Sequence, residues 1–508
     1  MINTRLIKLI CVMFLAGAIV TTLVLGQSSP TQDNPSDPGV RGGAPGGGQR
    51  LPGLQVNEAK LFEEGLKRAN EMEATCDTCS DVTPGGETGE DPLLATKTNS
   101  AGLGSRFNGD QCIVCHSQPA IGGSGGFLVP NPGQPNPRPP ENPMFDLIPH
   151  RKGATNRVPS FITQFGPIRE VRFLFKPDGA RDGGVHQLFT IVGRTDDPGI
   201  TGCSIQQPDF EREVANHNVA FRIPLQMFGM GLIDSIQDRE ILKRHDDSAA
   251  IRAQFGVEGI PNRSANDGTI TRFGWKAQNK SITVFAGEAY NVEMGVTNEL
   301  FPQAVEESDA CNGPQKPHPN DVTRVDTNDL NNEAFDNPVH LLADWMEFML
   351  FMRFLDGPQP APLTNRAQRG RDLFASVGCV ACHTPQMRTA PVIKSDALRD
   401  KPVNLYSDLL IHHMGANLAD NVIQGAAGPD MFRTTPLWGV GQRIFFLHDG
   451  RTRNLLEAIE AHFSPATPAN TTTRMPALGA SEANRSIEAF RRLSPNDKQT
   501  ILEFLRSL

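Results

Sequence analysis

Gly378-Cys379-Val380-Ala381-Cys382-His383 carries the spacing Cys-x-x-Cys-His. Two thiols at this separation can both reach the vinyl groups of one porphyrin and form thioethers, and the His that follows is then held beneath the iron as its proximal ligand. A second copy, Cys112-Ile113-Val114-Cys115-His116, lies earlier in the chain. A zinc half-site, or a disulfide beside a stray His, would look the same locally, but no further Cys-x-x-Cys stands near either motif to complete a zinc ligand set. The pair predicts two covalently bound haem c groups, with Cys112, Cys115, Cys379 and Cys382 as attachment points and His116 and His383 as iron ligands.

Around the second motif the pattern is that of a small cytochrome c. A helix over residues 365–377 is stopped by Gly378 and delivers Cys379, and Ser494-Pro495 opens a terminal helix whose Ile501, Leu502, Leu505 and Leu508 share one face. Asn337 and Pro338 predict the start of another helix, with Leu341, Leu342, Trp345, Met349, Met352 and Phe354 as its apolar positions. Around the first motif the flanks are rich in glycine, from Phe107-Asn108-Gly109-Asp110 to Gly122-Gly123-Ser124-Gly125-Gly126. A short helix reads over 54–69, and residues 171–192 read as a hairpin about Gly183-Gly184. Phe221-Arg222-Ile223-Pro224-Leu225 leading to Gly229-Met230-Gly231 is echoed by Phe432-Arg433-Thr434-Thr435-Pro436-Leu437 leading to Gly439-Val440-Gly441. Each echo follows a haem motif, as two related modules in tandem would require. The expected fold is mainly α: two cytochrome c-like haem domains, over 54–330 and 331–508, with long loops and a few short β-hairpins.

The chain has 508 residues, enough for two or three domains, and a net charge of −9, which speaks against nucleic acid as a partner. Arg5 and Lys8 precede an apolar run from Leu9 to Leu25, so residues 1–26 read as an export signal, with an uncleaved membrane anchor as the alternative. A periplasmic or otherwise exported location suits c-type haem. Apart from the motifs and Cys11, the cysteines are Cys76, Cys79, Cys203 and Cys311, an even number compatible with an oxidising compartment, and Cys76–Cys79 reads as a local disulfide. Residues 27–53 are poor in apolar side chains and rich in Gly and Pro, and predict a disordered tether.

Each iron needs a sixth ligand or an open face, and that choice separates electron transfer from ligand binding. For the haem at His383 the first candidate is Met414, in Leu409-Leu410-Ile411-His412-His413-Met414-Gly415, with Met431, His412 and His413 as alternatives. For the haem at His116 the candidates are His150, His186, His217 or none.

From about Phe107 onward the chain resembles the bacterial di-haem oxidoreductases, also labelled thiol oxidoreductases, within the superfamily of di-haem cytochrome c peroxidases and the methylamine dehydrogenase maturation enzyme. The resemblance rests on Tyr406-Ser407-Asp408-Leu409-Leu410, His413-Met414-Gly415, Leu418-Ala419-Asp420, Arg433-Thr434-Thr435-Pro436-Leu437-Trp438-Gly439 and Leu447-His448-Asp449-Gly450-Arg451. It implies that the N-terminal haem meets peroxide while the C-terminal haem receives electrons from a small redox partner protein. It also implies an acid over the reactive iron at Glu293, a tryptophan between the haems at Trp275 (with Trp345 and Trp438 as rivals), Met414 as ligand, and calcium between the domains. Arg433 and Arg451 are candidates for pairing with haem propionates. The family's Gln about ten residues before the acid is missing, since Thr283-Val284-Phe285-Ala286 holds no amide. No remaining Cys-x-x-Cys sits in a thioredoxin-like pattern, so thiol chemistry has no support. The expected function is peroxidase-like oxidoreduction; the alternatives are a dioxygen-using di-haem oxygenase and a plain electron carrier.

Overall fold

The computed structural model describes residues 34–74, 99–101, 103–104, 106–126, 141–146, 156–190, 205–303 and 342–508. The export segment, His150 and cysteines 11, 76, 79, 203 and 311 lie outside these residues. The architecture is mainly α, with short and mostly antiparallel strand pairs. No helix among the described residues is long and apolar enough to cross a membrane.

Two crossed helix pairs organise the molecule. Helix α1 (Val56–Asn70) packs on α4 (Asp344–Phe354), and α5 (Asn365–Ser376) packs on α6 (Pro495–Ser507). The start of α1 is held by Gln55 N donating to Glu58 at 2.8 Å, that of α5 by Thr364 Oγ1 accepting from Ala367 N at 3.1 Å, and that of α6 by Ser494 Oγ accepting from Asp497 N at 3.1 Å. Both crossings turn on a glycine. A Cβ on Gly65 would lie 2.2 Å from Glu347 O, and one on Gly370 would lie 1.9 Å from Thr500 O. Aromatic contacts flank each crossing, with ring centroids 5.5 Å apart for both Phe62–Phe351 and Phe374–Phe504. Gly370→Ala must spread α5 from α6, so it is expected to destabilise the protein by about 1–3 kcal/mol, read as a fall in the urea midpoint at unchanged m.

The echoed segments take matching conformations. Gly229 (φ 64°) and Gly439 (φ 74°) each stand in the left-handed region at the start of a short helix, α2 (Met230–Asp234) in the first case. Two residues on, a Cβ on Gly231 would lie 1.8 Å from Arg353 O at the end of α4, and one on Gly441 would lie 2.2 Å from Arg506 O at the end of α6. Thus α4 stands to the first motif as α6 stands to the second.

Helix α4 lies beyond the expected boundary at 330. Helix α4, assigned from sequence to the C-terminal unit, buries Phe348, Phe351 and Phe354 in the core that also holds Phe62 of α1, and its first residue is Asp344. Asn337, Pro338 and Leu341 lie outside the described residues. A second core, around Phe374, Phe490, Phe504 and Leu505, belongs to the C-terminal half.

A hairpin is present, but its turn lies at Pro177-Asp178-Gly179 and not at Gly183-Gly184, which sit on the returning arm: β1 (Glu170–Phe173) pairs antiparallel with β2 (Val185–His186) and, on its other side, with β3 (Val219–Arg222). In the C-terminal half β4 (Ile411–His413) pairs antiparallel with β5 (Met431–Arg433). The stretch 34–53 differs from the disordered tether expected over 27–53. It lies along the body, where Asp37 forms a buried ion pair with Arg506 at 2.6 Å and Leu51 N donates to Phe354 O at 2.7 Å. Its apolar content is low, but its backbone and one carboxylate find fixed partners on both halves, and composition does not register such contacts.

Candidate functional site: two cavities sharing one wall

Each motif opens onto its own cavity. The first is lined by Cys112, Cys115 and His116 together with Glu293 and Trp275; the second is lined by Cys379, Cys382 and His383 with Met414 and, again, Trp275. None of the four motif cysteines is in a disulfide. His116 Nδ1 lies 3.0 Å from Gly123 O and His383 Nδ1 lies 3.0 Å from Tyr406 O, so each ring is oriented by its Nδ1 and keeps Nε2 for a ligand bond. Burial lowers both imidazoles to about 4, the neutral form that iron requires.

The surroundings fit haem. Arg433 and Arg443 are buried in the wall of the second cavity and have no ion-pair partner among the described residues; their cation sites call for an anion such as a propionate. Arg222 Nε, in the wall of the first cavity, is also buried without a hydrogen-bond partner. Arg451, the other sequence candidate, is a surface residue paired with Asp449 at 2.7 Å.

In the first cavity Glu293 projects from α3 (Ile282–Met294), whose start is capped by Ser281 Oγ accepting from Val284 N at 3.3 Å. Its carboxyl accepts from Asn108 Nδ2 at 2.8 Å. Burial first, and the neighbouring Glu170 second, push Glu293 up to about 8. The amide missing from the helix is therefore supplied by Asn108 from the loop before the first motif, which sequence spacing does not reveal. Glu170, Arg172 and Glu288 also line this cavity without having been singled out, because a two-residue alternation on a short strand carries no spacing signature. His186 and His217 stand elsewhere: His186 is 3.1 Å from Asp182 and stacks on Phe173, and His217 is exposed.

In the second cavity Met414 is part of the wall, whereas Met431 is buried in a separate cluster with Ala277, Ile411 and Ala427. His412 has both ring nitrogens engaged, by Asp408 and Glu482 at 2.9 Å each, and His413 is half-exposed beside Asp430 at 3.0 Å. Both histidines are thus held by carboxylates. His448, from the Leu447-His448-Asp449-Gly450-Arg451 stretch, stacks on Phe432 at 4.4 Å and, with His462, lines this cavity.

Trp275 is the wall between the two spaces. Its Nε1 donates to Ile223 O at 2.9 Å, its ring stands 6.3 Å from His448, and Arg443 lies 5.9 Å from its ring centre. Trp345 instead donates to Glu299 at 2.8 Å within the α4 core, and Trp438 lines the second cavity alone. Next to Trp275, the buried Lys276 ammonium is held by Gly428 O at 2.8 Å, Met431 O at 2.9 Å and Asp420 at 3.0 Å, and Asp420 also binds Arg222 at 2.8 Å. No group of three or more acidic, His or Cys side chains suited to a metal ion occurs among the described residues.

Paired motifs, each facing a largely apolar space with a neutral histidine, define a di-haem protein. The model of the family described as "Di-haem oxidoreductase, putative peroxidase" matches residues 186–508, more than half of the chain, and the chain belongs to this family. The first motif lies before the matched residues. No curated protein matches. Among solved structures, the chain is similar to Kuenenia stuttgartiensis hydrazine synthase (17% identity, 35% of this chain and 60% of that one, TM-score 0.20). It is also similar to a MauG-like protein associated with microbial copper homeostasis (17%, 49% and 78%, 0.29) and to the dihaem peroxidase BthA from Burkholderia thailandensis (15%, 64% and 91%, 0.28). The chain spans 60% of the hydrazine synthase chain that it matches.

Proposed function

We propose that the protein is an exported di-haem c-type peroxidase in which hydrogen peroxide is reduced in the cavity of His116 and electrons enter from a small redox partner through the cavity of His383. The reading rests on the asymmetry of the two cavities: the first holds the buried acid Glu293, the acid in the wall of the second is Glu482, which is paired with His412, and Trp275 stands in the wall of both. In this reading Cys112 and Cys115, and Cys379 and Cys382, would form the thioethers, His116 and His383 would hold the irons, and Met414 would be a further ligand in the second half. When bound, each haem would supply an iron that exchanges single electrons.

The chain's own groups handle protons and position. Glu293, held by Asn108, takes a proton from one peroxide oxygen and returns one to the other as general base and then general acid. The apolar wall formed by Ile168, Met144 and Phe348 keeps bulk water from the acid. Trp275 offers the electron path between the halves, its ring fixed by the Nε1 bond to Ile223.

Low-temperature electron paramagnetic resonance on the ferric holoprotein tests this reading. Expected are one high-spin signal that disappears with peroxide and one low-spin signal that persists, together with turnover of a reduced donor. Trp275→Leu should slow donor turnover while leaving the peroxide response of the high-spin signal intact. Two low-spin signals indifferent to peroxide, even after half-reduction, would leave an electron carrier in its place.

A further inference from the structure

The first cavity holds more acid than a single general acid–base requires. Glu170, the first residue of β1, lines it beside Glu293, and the two carboxyl groups are in hydrogen-bond contact. Their remaining contacts are unequal. Glu170 Oε1 accepts from Arg172 Nε at 2.7 Å, and Arg172 Nη1 is anchored on Gly183 O at 2.9 Å. Glu293 Oε2 accepts only from the neutral amide of Asn108, whose Oδ1 in turn accepts from Leu188 N at 2.9 Å. The other ionisable groups facing this space are Glu288 and Tyr290 on α3, Arg222 on β3, and Cys112, Cys115 and His116 of the motif. Two carboxylates cannot meet at hydrogen-bond distance while both are ionised, so one proton lies between them. With a guanidinium on Glu170 and an amide on Glu293, the proton lies on Glu293.

We propose that Glu170 is a second catalytic residue of this cavity, forming with Glu293 a carboxylic acid–carboxylate pair that takes a proton from one oxygen of hydrogen peroxide while giving a proton to the other. The proposal rests on the peroxidase reading above. The carboxylate accepts the proton of the inner oxygen, the carboxylic acid protonates the outer one, the O–O bond breaks, and the outer oxygen leaves as water. The pair ends the step with the one proton it began with. The second oxygen is reduced to water by two electrons from the reduced donor and two protons from solvent. A lone carboxyl must perform the two transfers in turn, whereas a pair sharing one proton has an acid and a base in place at once. Glu170 on its strand and Asn108 on its loop thus occupy the surroundings of the acid that an amide on the helix would otherwise serve.

The test uses the holoprotein and its Glu170→Gln, Glu170→Asp and Glu293→Gln variants, each checked for an unchanged haem spectrum. Infrared spectra in H2O and D2O across a pH series follow the carbonyl band of a neutral carboxylic acid, and steady-state assays with peroxide and an artificial one-electron donor follow turnover. Wild type should show a band that vanishes as pH rises, and Glu293→Gln should lack it. In Glu170→Gln the midpoint of the band should fall by about 1–2 pH units, because Arg172 then acts on Glu293 without a competing carboxylate. Its kcat/KM for peroxide should fall by about 10²-fold, with partial recovery in Glu170→Asp. If Glu170→Gln moves neither band nor turnover while Glu293→Gln abolishes turnover, Glu293 acts alone; the pair is overturned and the peroxidase reading stands. A wild-type protein that shows the band but never turns over peroxide would overturn the peroxidase reading and the catalytic role of Glu170 with it.

Discussion

Glu293→Gln is expected to lower peroxide turnover by about 10²–10⁴-fold while both haems remain attached. The substitution keeps the shape of the side chain and its contact with Asn108 but removes the group that can take up and release a proton. The pH dependence follows from the raised pKa. Glu293 is held neutral by burial and by Glu170 up to about pH 8, so its proton-donating form is present below that pH and lost above it. Turnover limited by this acid should decline as pH rises through about 8 in the wild type, and the variant should lack that alkaline limb. The folded state binds this proton between the ordinary carboxyl value of 4.5 and about 8, whereas the unfolded chain releases it. Wild-type stability therefore falls with rising pH across that window, and the variant should be spared this loss. A full pH–rate profile beside a pH series of urea midpoints checks both statements.

Asp420→Ala is expected to cost about 3–5 kcal/mol of stability. Asp420 is the shared anion of two buried cations, Arg222 at 2.8 Å and Lys276 at 3.0 Å, and it links the loop before β5 to the elements that carry Trp275. The two cations respond differently to its loss. Lys276, already lowered to about 8 by burial, can shed its proton and stay in place as a neutral amine. Arg222 cannot deprotonate, so it stays charged and buried with Gln424 as its remaining side-chain partner. Most of the cost therefore falls on Arg222, and the double variant Arg222→Met with Asp420→Ala should recover part of it. Chemical denaturation of the single and double variants measures the difference.

Much of the plan was legible in the chain. The motifs announced themselves because thioether geometry requires two thiols and a histidine at fixed spacing, and that spacing is local. The helices at 365–376 and 495–507 were readable from their caps and apolar periodicity, which are also local. The echo between 221–231 and 432–441 was visible because both copies need a left-handed glycine and then a second glycine where a helix end presses on the backbone.

Partnership was not local, and the tertiary structure decided it. The apolar face of α4 is plain in the sequence, but periodicity does not say which helix covers it. Gly65 against Glu347 O makes it the partner of α1. Residues 34–53 read as a tether because burial of side chains is what composition reports, yet this segment is held by backbone bonds and by Asp37 on Arg506. Glu170, Asn108 and Glu293 come from a strand, a loop and a helix spread along the chain, and only their convergence on one cavity makes an acid site. The sequence by itself determined the cofactor-binding motifs and the helices that carry them, since those depend on neighbours along the chain. Which acid meets which, which methionine faces the second cavity and which tryptophan divides the two spaces depend on neighbours across it.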